Sequence, residues 1–434
     1  MGSPAGPAHI SVPRDVMAQP STVKASSYDL CNLLDRPTLI DDKAVGKLYD
    51  ELDNAKKPVF IVGDEACNAM PNILSLATAT QAQILVTPHG KGLVSPYHPL
   101  FKGVIGFAGH ASARALLADP KVDLVVAIGA RFGEFSSNAW DTETLLTNKL
   151  VHVESTEANL TRTPMAKLHV RGCLETIFGR IVERYSNDAH SYIKIVPNEK
   201  PGVEQERINE DKKNADLEMH FECDDLEAYR SDATPIKPQR LMRDLPKLFP
   251  PHTRYLADSG NSFAWGTHYL HPFDRRLAGM RVQGGLFSAS MDFASMGWAI
   301  GSAVGTALAL PGTPVVCITG DGSWLMSGQE LTVAIEEKLS LIFVILNDSA
   351  YGMVKHGQML TGAERIANKL AKVDFCAVAK AMGAHGEIIE SPEQLNALDI
   401  SAICNRAGPT LLDVRIDPNE KPPIKLRTNV LKTK

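Results

Sequence analysis

Cysteine is sparse and unpaired in pattern: seven stand in 434 residues, at irregular spacing and without a C-x-x-C pair. An odd, scattered set offers neither a disulfide framework nor metal spacing, and it fits reduced thiols in a cytosolic protein. No apolar stretch reaches membrane-spanning length. The opening Met1-Gly2-Ser3-Pro4-Ala5-Gly6 lacks the apolar core of a signal peptide and matches an N-myristoylation pattern only at Gly2. There is no basic excess either. The net charge is −5, against the basic face that general nucleic-acid binding requires. What remains is a globular chain long enough for two or three domains.

The informative segment is Gly320-Asp321-Gly322-Ser323, followed 27 residues after its Asp (348 − 321) by Asn347-Asp348-Ser349-Ala350-Tyr351-Gly352. Val315 to Thr319 is a β-branched run expected to form a buried parallel strand, with Gly-Asp-Gly-Ser as a turn at its end. Gln329 to Lys338 has a helical period, with Leu331, Ala334 and Ile335 on one face. Leu341 to Leu346 reads as a second buried strand. Strand, turn, helix, strand is a right-handed crossover whose ligand end lies beyond the strand C-termini. Two Asp side chains, a backbone carbonyl, two phosphate oxygens and a water would complete the octahedron that magnesium prefers. Glycines beside Asp321 let backbone amides approach phosphate, and the following helix offers its positive end. Gly-Asp-Gly alone is a common turn; the whole constellation is the specific signal.

That constellation resembles the signature of thiamine diphosphate enzymes of the acetolactate synthase-like family. The resemblance implies Asp321, Asp348 and the carbonyl of Ala350 as ligands of Mg2+, with Tyr351, Gly352 and Met353 continuing the match. Where family members usually carry Asn-Asn, this chain has Asn347-Asp348, a more anionic site. Gly320, Gly322 and Ser323 are implied at the diphosphate. Ala257-Asp258-Ser259-Gly260-Asn261, with Trp265 after it, looks like the opening strand and helix of the diphosphate domain, so Gly260 and Asn261 join the cofactor set. The segment from Gly284-Gly285-Leu286 to Met296-Gly297 looks like the part that holds the pyrimidine. There Met296 would bend the cofactor, and the Ala294 carbonyl would accept from the pyrimidine amine. Core filling is the other reading of Met296.

The resemblance covers almost the whole chain and implies an α/β architecture of two doubly wound parallel-sheet domains, a central Rossmann-like domain and a thiamine diphosphate-binding domain. Residues 1–37 are expected to hold the last strand of a pyrimidine-binding domain (Gly6 to Val16) and a linker. Residues 38–185 are expected as the central domain, with strands around 57–64, 83–88, 122–129 and 149–154. Residues 186–233 read as a charged linker, 234–418 as the diphosphate domain and 419–434 as a basic tail. Most of the pyrimidine domain is expected to be missing, and with it the glutamate that hydrogen-bonds the cofactor's pyrimidine. FAD is left open in the central domain: Gly103 to His110 and Arg131 to Glu134 lie where flavin contacts would fall, although these glycines equally suit tight turns.

The implied reaction is decarboxylation of a 2-keto acid and transfer of the remaining fragment to a second carbonyl or to a proton. Here Gly352-Met353-Val354-Lys355-His356-Gly357 departs from the family's Gly-Met-Val-x-Gln-Trp. Gly357 in place of Trp opens acceptor space, and Lys355 and His356 bring donors suited to a larger or anionic acceptor. His356 is the tentative general acid, with a plain surface histidine as the alternative. A homodimer or homotetramer is implied. Two other classes stay open: a cofactor-binding but catalytically incomplete fragment, and a non-catalytic scaffold or regulatory subunit of this fold.

Overall fold

The structure is a computed structural model that describes residues 9–20, 40–137, 139–187, 218–272, 274 and 285–424. It contains two six-stranded sheets, and every pairing in them is parallel.

The first sheet comprises β1 (Pro58–Val62), β2 (Gln83–Val86), β3 (Phe101–Val104), β4 (Leu124–Ile128), β5 (Leu150–Glu154) and β6 (Leu168–Arg171), in the order β3-β2-β1-β4-β5-β6. Every residue of β1, β4 and β5 is buried, as expected of strands covered on both faces. The helices Asp42–Asn54 and Leu174–Asn187 cover one face with Leu48, Leu52, Ile177, Phe178 and Ile181. Asp41 caps the first of them, accepting from the Ala44 amide at 3.0 Å. β3 and β6 escape the sequence reading because Phe101-Lys102-Gly103-Val104 and Leu168-His169-Val170-Arg171 are short and half polar.

The second sheet comprises β7 (Arg254–Ala257), β8 (Phe287–Ala289), β9 (Val315–Gly320), β10 (Leu341–Asn347), β11 (His385–Ile389) and β12 (Thr410–Arg415), in the order β11-β12-β10-β9-β7-β8. Alternation along β9 is plain. Val315 and Cys317 pack under the small-residue helix Trp298–Ala309, with Ala299, Ile300 and Ala303. Val316 and Ile318 face the other way, into a core continuous with that of the first sheet. Phe107 and Phe135 from the first unit meet Phe263 from the second within this shared core, with Phe107 ring centroids 5.1 Å from each of the other two. Gly92, at φ 88°, brings its loop so close to β8 that a Cβ would lie 2.6 Å from the Phe287 amide nitrogen.

Three expectations need correction. Gly-Asp-Gly-Ser is not a turn before a later helix: Gly320 caps the helix Asp321–Ser327, and Leu331–Glu336 follows after a 3-10 turn. Residues 9–13 form no strand, and Arg14–Met17 is a single exposed helical turn, because no neighbouring strand among the described residues offers it a ladder. The expected charged linker is not solvated throughout, since Phe221 and Cys223 are buried. Its Lys200 to Lys213 run, Gly284, residues 1–8 and residues 425–434 lie outside the described residues.

Candidate active site

Three neighbouring strands deliver three aspartates to one edge. β7 is followed by Asp258, β9 ends at Gly320 before Asp321, and β10 ends at Asn347 before Asp348. In the order β10-β9-β7-β8 the chain turns outward from β7 to β8 and then resumes on the opposite side with β9. The C-terminal ends of β7 and β9 therefore flank the topological switch point, where open α/β sheets bind ligands.

Asp258 organises the scaffold, and the sequence reading did not single it out. Its carboxylate accepts from Thr319 Oγ1 at 2.8 Å, from the Gly297 amide at 3.1 Å to both oxygens, and from the amides of Ser259 at 2.9 Å and Ala299 at 3.3 Å. It thus ties β7, β9 and the start of the helix Trp298–Ala309 together. Its only sequence signal is a carboxylate at the end of an apolar strand.

Asp321 and Asp348 differ from Asp258 in having backbone amides as their donors and, among the described residues, no side-chain hydroxyl. Asp321 is buried, and its Oδ1 accepts from the Gly322 amide at 2.7 Å, while its Oδ2 is buried with no partner among the described residues. Burial, and then the neighbouring Asp348, push the Asp321 carboxyl up to about 7. Burial raises Asp348 to about 6, against the pull of Lys355. Two desolvated carboxyls of like charge are a poor arrangement unless a cation sits between them. Asn347 is committed elsewhere, donating to Asp413 Oδ1 at 2.8 Å, so Asp348 is the polar side chain left facing the site. The bridge that pairs Ala350 with Lys369 uses the Ser349 carbonyl and the Tyr351 amide, which leaves the Ala350 carbonyl outside it. Ser349 (φ 54°) and Ala294 (φ 54°) border the site in the left-handed region, a strain that non-glycine residues hold only where their surroundings impose it.

The remaining expected residues fall around these carboxylates. A Cβ on Gly322 would lie 2.7 Å from the Tyr351 ring and 3.4 Å from Met296 Cε, so the glycine lets both side chains close over the first helical turn. Met296 is not in a helix; it precedes the helix Trp298–Ala309 and is 36% exposed. The Ala294 carbonyl already accepts from Ser259 Oγ at 2.7 Å, using one of its two lone pairs. Ser323 Oγ reaches the Ser259 carbonyl only at 3.5 Å. Gly260 takes φ 109° before the helix Asn261–Tyr269, and neither it nor Gly320 has an atom within 4 Å of a would-be Cβ. Met353 packs on the core edge.

His356 is no surface histidine. It is 2% exposed, its Nδ1 lies 3.1 Å from Asn261 Nδ2, and burial followed by Lys355 lowers it to about 4. Lys355 donates to the Pro418 carbonyl at 2.5 Å. Gly357 has open space where a side chain would begin.

Two of the glycines expected near a flavin, Gly106 and Gly109, are close-approach glycines. A Cβ on Gly106 would lie 2.2 Å from the Phe135 carbonyl oxygen, and one on Gly109 would lie 2.5 Å from that of Val104. His110 beside them belongs to a buried joint between the two units. Its Nδ1 accepts from the Val104 amide at 3.0 Å, and its Nε2 lies 3.0 Å from the His268 carbonyl. His268 in turn accepts from the Asp224 amide at 2.8 Å and holds the Ala108 carbonyl at 3.1 Å. These histidines and Cys223 lie within ligand distance of one another. Every ring nitrogen of His110 and His268 is nonetheless spent on the backbone, so the cluster is a joint rather than a metal centre.

Switch-point carboxylates and the close-approach glycines Gly322 and Gly352 thus lie together at one edge of a parallel sheet, where such folds bind ligands. Residues 45–181 match the family described as thiamine pyrophosphate enzyme, central domain, and residues 258–414 match thiamine pyrophosphate enzyme, C-terminal TPP binding domain. The chain belongs to the thiamine pyrophosphate enzymes, in their acetolactate synthase-like branch. It is 28% identical to a protein of Methanococcus aeolicus named "Probable acetolactate synthase large subunit", over 98% of this chain and 70% of that one. It is 26% identical to the acetolactate synthase isozyme 1 large subunit of Escherichia coli K12, over 96% and 68%. It is 23% identical to the sulfoacetaldehyde acetyltransferase of Alcaligenes xylosoxydans xylosoxydans, over 90% and 64%. Among the described residues no helix is long and apolar enough to cross a membrane.

Proposed function

We propose that this chain holds thiamine diphosphate through Mg2+ bound by Asp321, Asp348 and the Ala350 carbonyl, and serves a 2-keto acid carboligase or decarboxylase reaction of acetolactate synthase type. The observation that carries this reading is the pair of buried carboxylates at the switch point, each held above the usual carboxylate range, with Asp321 Oδ2 unpartnered. Hard oxygen donors in that number suit Mg2+. Gly260, Asn261, Gly320, Gly322, Ser323, Tyr351, Gly352 and Met353 would line the diphosphate, and Met296 and the Ala294 carbonyl would face the pyrimidine. When bound, the cofactor supplies a nucleophilic carbon that adds to the keto group and accepts the electrons left by carbon dioxide.

The chain's own residues bind and orient in this scheme. Asp321 and Asp348 neutralise a divalent ion, and glycines admit backbone close to phosphate. Gly357 leaves room beside the helix Gly352–Thr361 for an acceptor larger than pyruvate. Among the relatives an acetyltransferase acting on sulfoacetaldehyde, by its name, supports an anionic acceptor as the second choice. A glutamate for the pyrimidine would come from a pyrimidine-binding domain outside the residues described. "Large subunit" in the relatives' names supports assembly with a further subunit, and the family resemblance supports a homodimer or homotetramer of this chain. Six free cysteines among the described residues suit a cytosolic location.

The test is turnover. Chain loaded with thiamine diphosphate and Mg2+, with a pyrimidine-binding domain supplied in trans, is given pyruvate alone or with 2-ketobutyrate or sulfoacetaldehyde. Carbon dioxide release that Asp321→Ala abolishes supports the reading. Binding without release in every combination favours the catalytically incomplete alternative, and neither binding nor release favours a scaffold.

A further inference from the structure

His356 and Asn261 come from different helices, Gly352–Thr361 and Asn261–Tyr269, and meet at the metal-side edge of the candidate site. A Cβ on Gly352 would lie 2.5 Å from Asn261 Nδ2 and 3.4 Å from Asp348 Oδ2, so the amide passes over a bare glycine beside the metal carboxylate. Two buried polar atoms of the pair have no partner among the described residues, Asn261 Oδ1 and His356 Nε2. Buried orphan atoms are costly unless a ligand completes them.

An asparagine amide has nearly the same shape either way round, so what faces the ring is set by the ring's proton. With Nδ1 unprotonated, the ring takes the Asn261 NH2, and the amide oxygen faces outward. With Nδ1 protonated, the ring takes the amide oxygen, and the NH2 faces outward. The neutral ring carries one proton, and with Nε2 buried and unpartnered among the described residues that proton finds a partner only at Nδ1. A diphosphate oxygen only accepts, so the second arrangement is the one that binds it.

We propose that His356 is a positioning residue: it donates Nδ1–H to Asn261 Oδ1 and thereby turns the Asn261 NH2 toward a diphosphate oxygen. This rests on the diphosphate reading above and replaces the acceptor-side role for His356. The ring acts through Asn261 and does not itself touch the reacting carbon.

The test measures binding of Mg2+–thiamine diphosphate and of Mg2+–pyrophosphate to the full chain by calorimetry. His356→Leu and Asn261→Ala should each weaken both ligands by about tenfold, the scale of one hydrogen bond to a charged group. His356→Gln, whose amide can donate to Asn261, should recover most of the affinity. The double variant His356→Leu/Asn261→Ala should be no weaker than Asn261→Ala alone. Additive losses, or wild-type affinity in His356→Leu, would overturn the proposal. Should His356→Leu fail to fold, ring nitrogen-15 shifts of His356 in the wild-type complex decide: protonated Nδ1 with bare Nε2 supports it, and the reverse contradicts it. Failure of the wild type itself to bind Mg2+–thiamine diphosphate would instead count against the diphosphate reading.

Discussion

Thr319 on β9 donates its hydroxyl to Asp258 at the end of β7, at 2.8 Å, across the two strands that flank the switch point. Asp258 also gathers the amides of Ser259, Gly297 and Ala299. Asp258→Ala would strand these donors in a buried setting and should cost about 2–5 kcal/mol. Thr319→Val removes one bond and should cost about 1 kcal/mol. Urea denaturation checks both; a loss for Asp258→Ala no larger than that for Thr319→Val would contradict the organising role.

Asp321→Asn should stabilise the metal-free chain at pH 8 while destroying its use of Mg2+. Its carboxyl is raised to about 7 by burial and by Asp348, so at pH 8 it is charged at a net cost. Relief of that repulsion should be worth on the order of 1–3 kcal/mol in unfolding free energy without metal. Destabilisation by the variant would mean that the two carboxylates are satisfied by the chain alone.

Acid should loosen the histidine joint between the two sheets. His268 is lowered to about 4 from an ordinary 6.5, chiefly by burial, with Asp224 opposing and Lys91 assisting. Its neighbours His110 and His271 are also depressed well below the ordinary value, each by burial first, and Cys223 is held as a thiol. Below pH 6.5 the unfolded chain binds more protons than the folded one, so stability from the neutral ring is full above 6.5 and is lost toward pH 4. Asp321 and Asp348, raised in the folded state, act in the opposite sense between about pH 4 and 7. A comparison of His268→Gln with wild type cancels them. The stability gap between the two should narrow by roughly 2 kcal/mol from pH 7 to 4.5. A gap independent of pH would show that His268 does not titrate in this window.

Gly357→Trp should narrow the acceptor range. The open space at Gly357 admits bulk that a tryptophan would fill. Competition between pyruvate and a larger or sulfonated aldehyde, scored by product ratio, should move toward the smaller acceptor by about tenfold, the scale of a pocket-size change. An unchanged ratio would place the acceptor elsewhere.

Asp321 and Asp348 were legible as neighbours because their signal is local: an apolar strand, a Gly-Asp-Gly step and a second strand that runs into Asp348 fix where the carboxylates emerge. Asp258 was not, because its importance lies in donors from Gly297 and Thr319, distant in sequence. A surface histidine stood as the alternative for His356 because Asn261, which packs against its ring, is distant in sequence. The joint of His110, Cys223 and His268 could not be read either, since its members come from three separate segments. β3 and β6 were lost to mixed polarity on short outer strands, and the helix at Asp321 to the two glycines that flank it and read as a turn.

Calorimetric titration of thiamine diphosphate into the chain, with and without Mg2+ and beside Asp321→Ala, decides whether the switch-point carboxylates hold the cofactor through a metal. Saturable binding that requires Mg2+ and is absent in Asp321→Ala is the expected result. Binding of equal strength without Mg2+, or undiminished in Asp321→Ala, would contradict it.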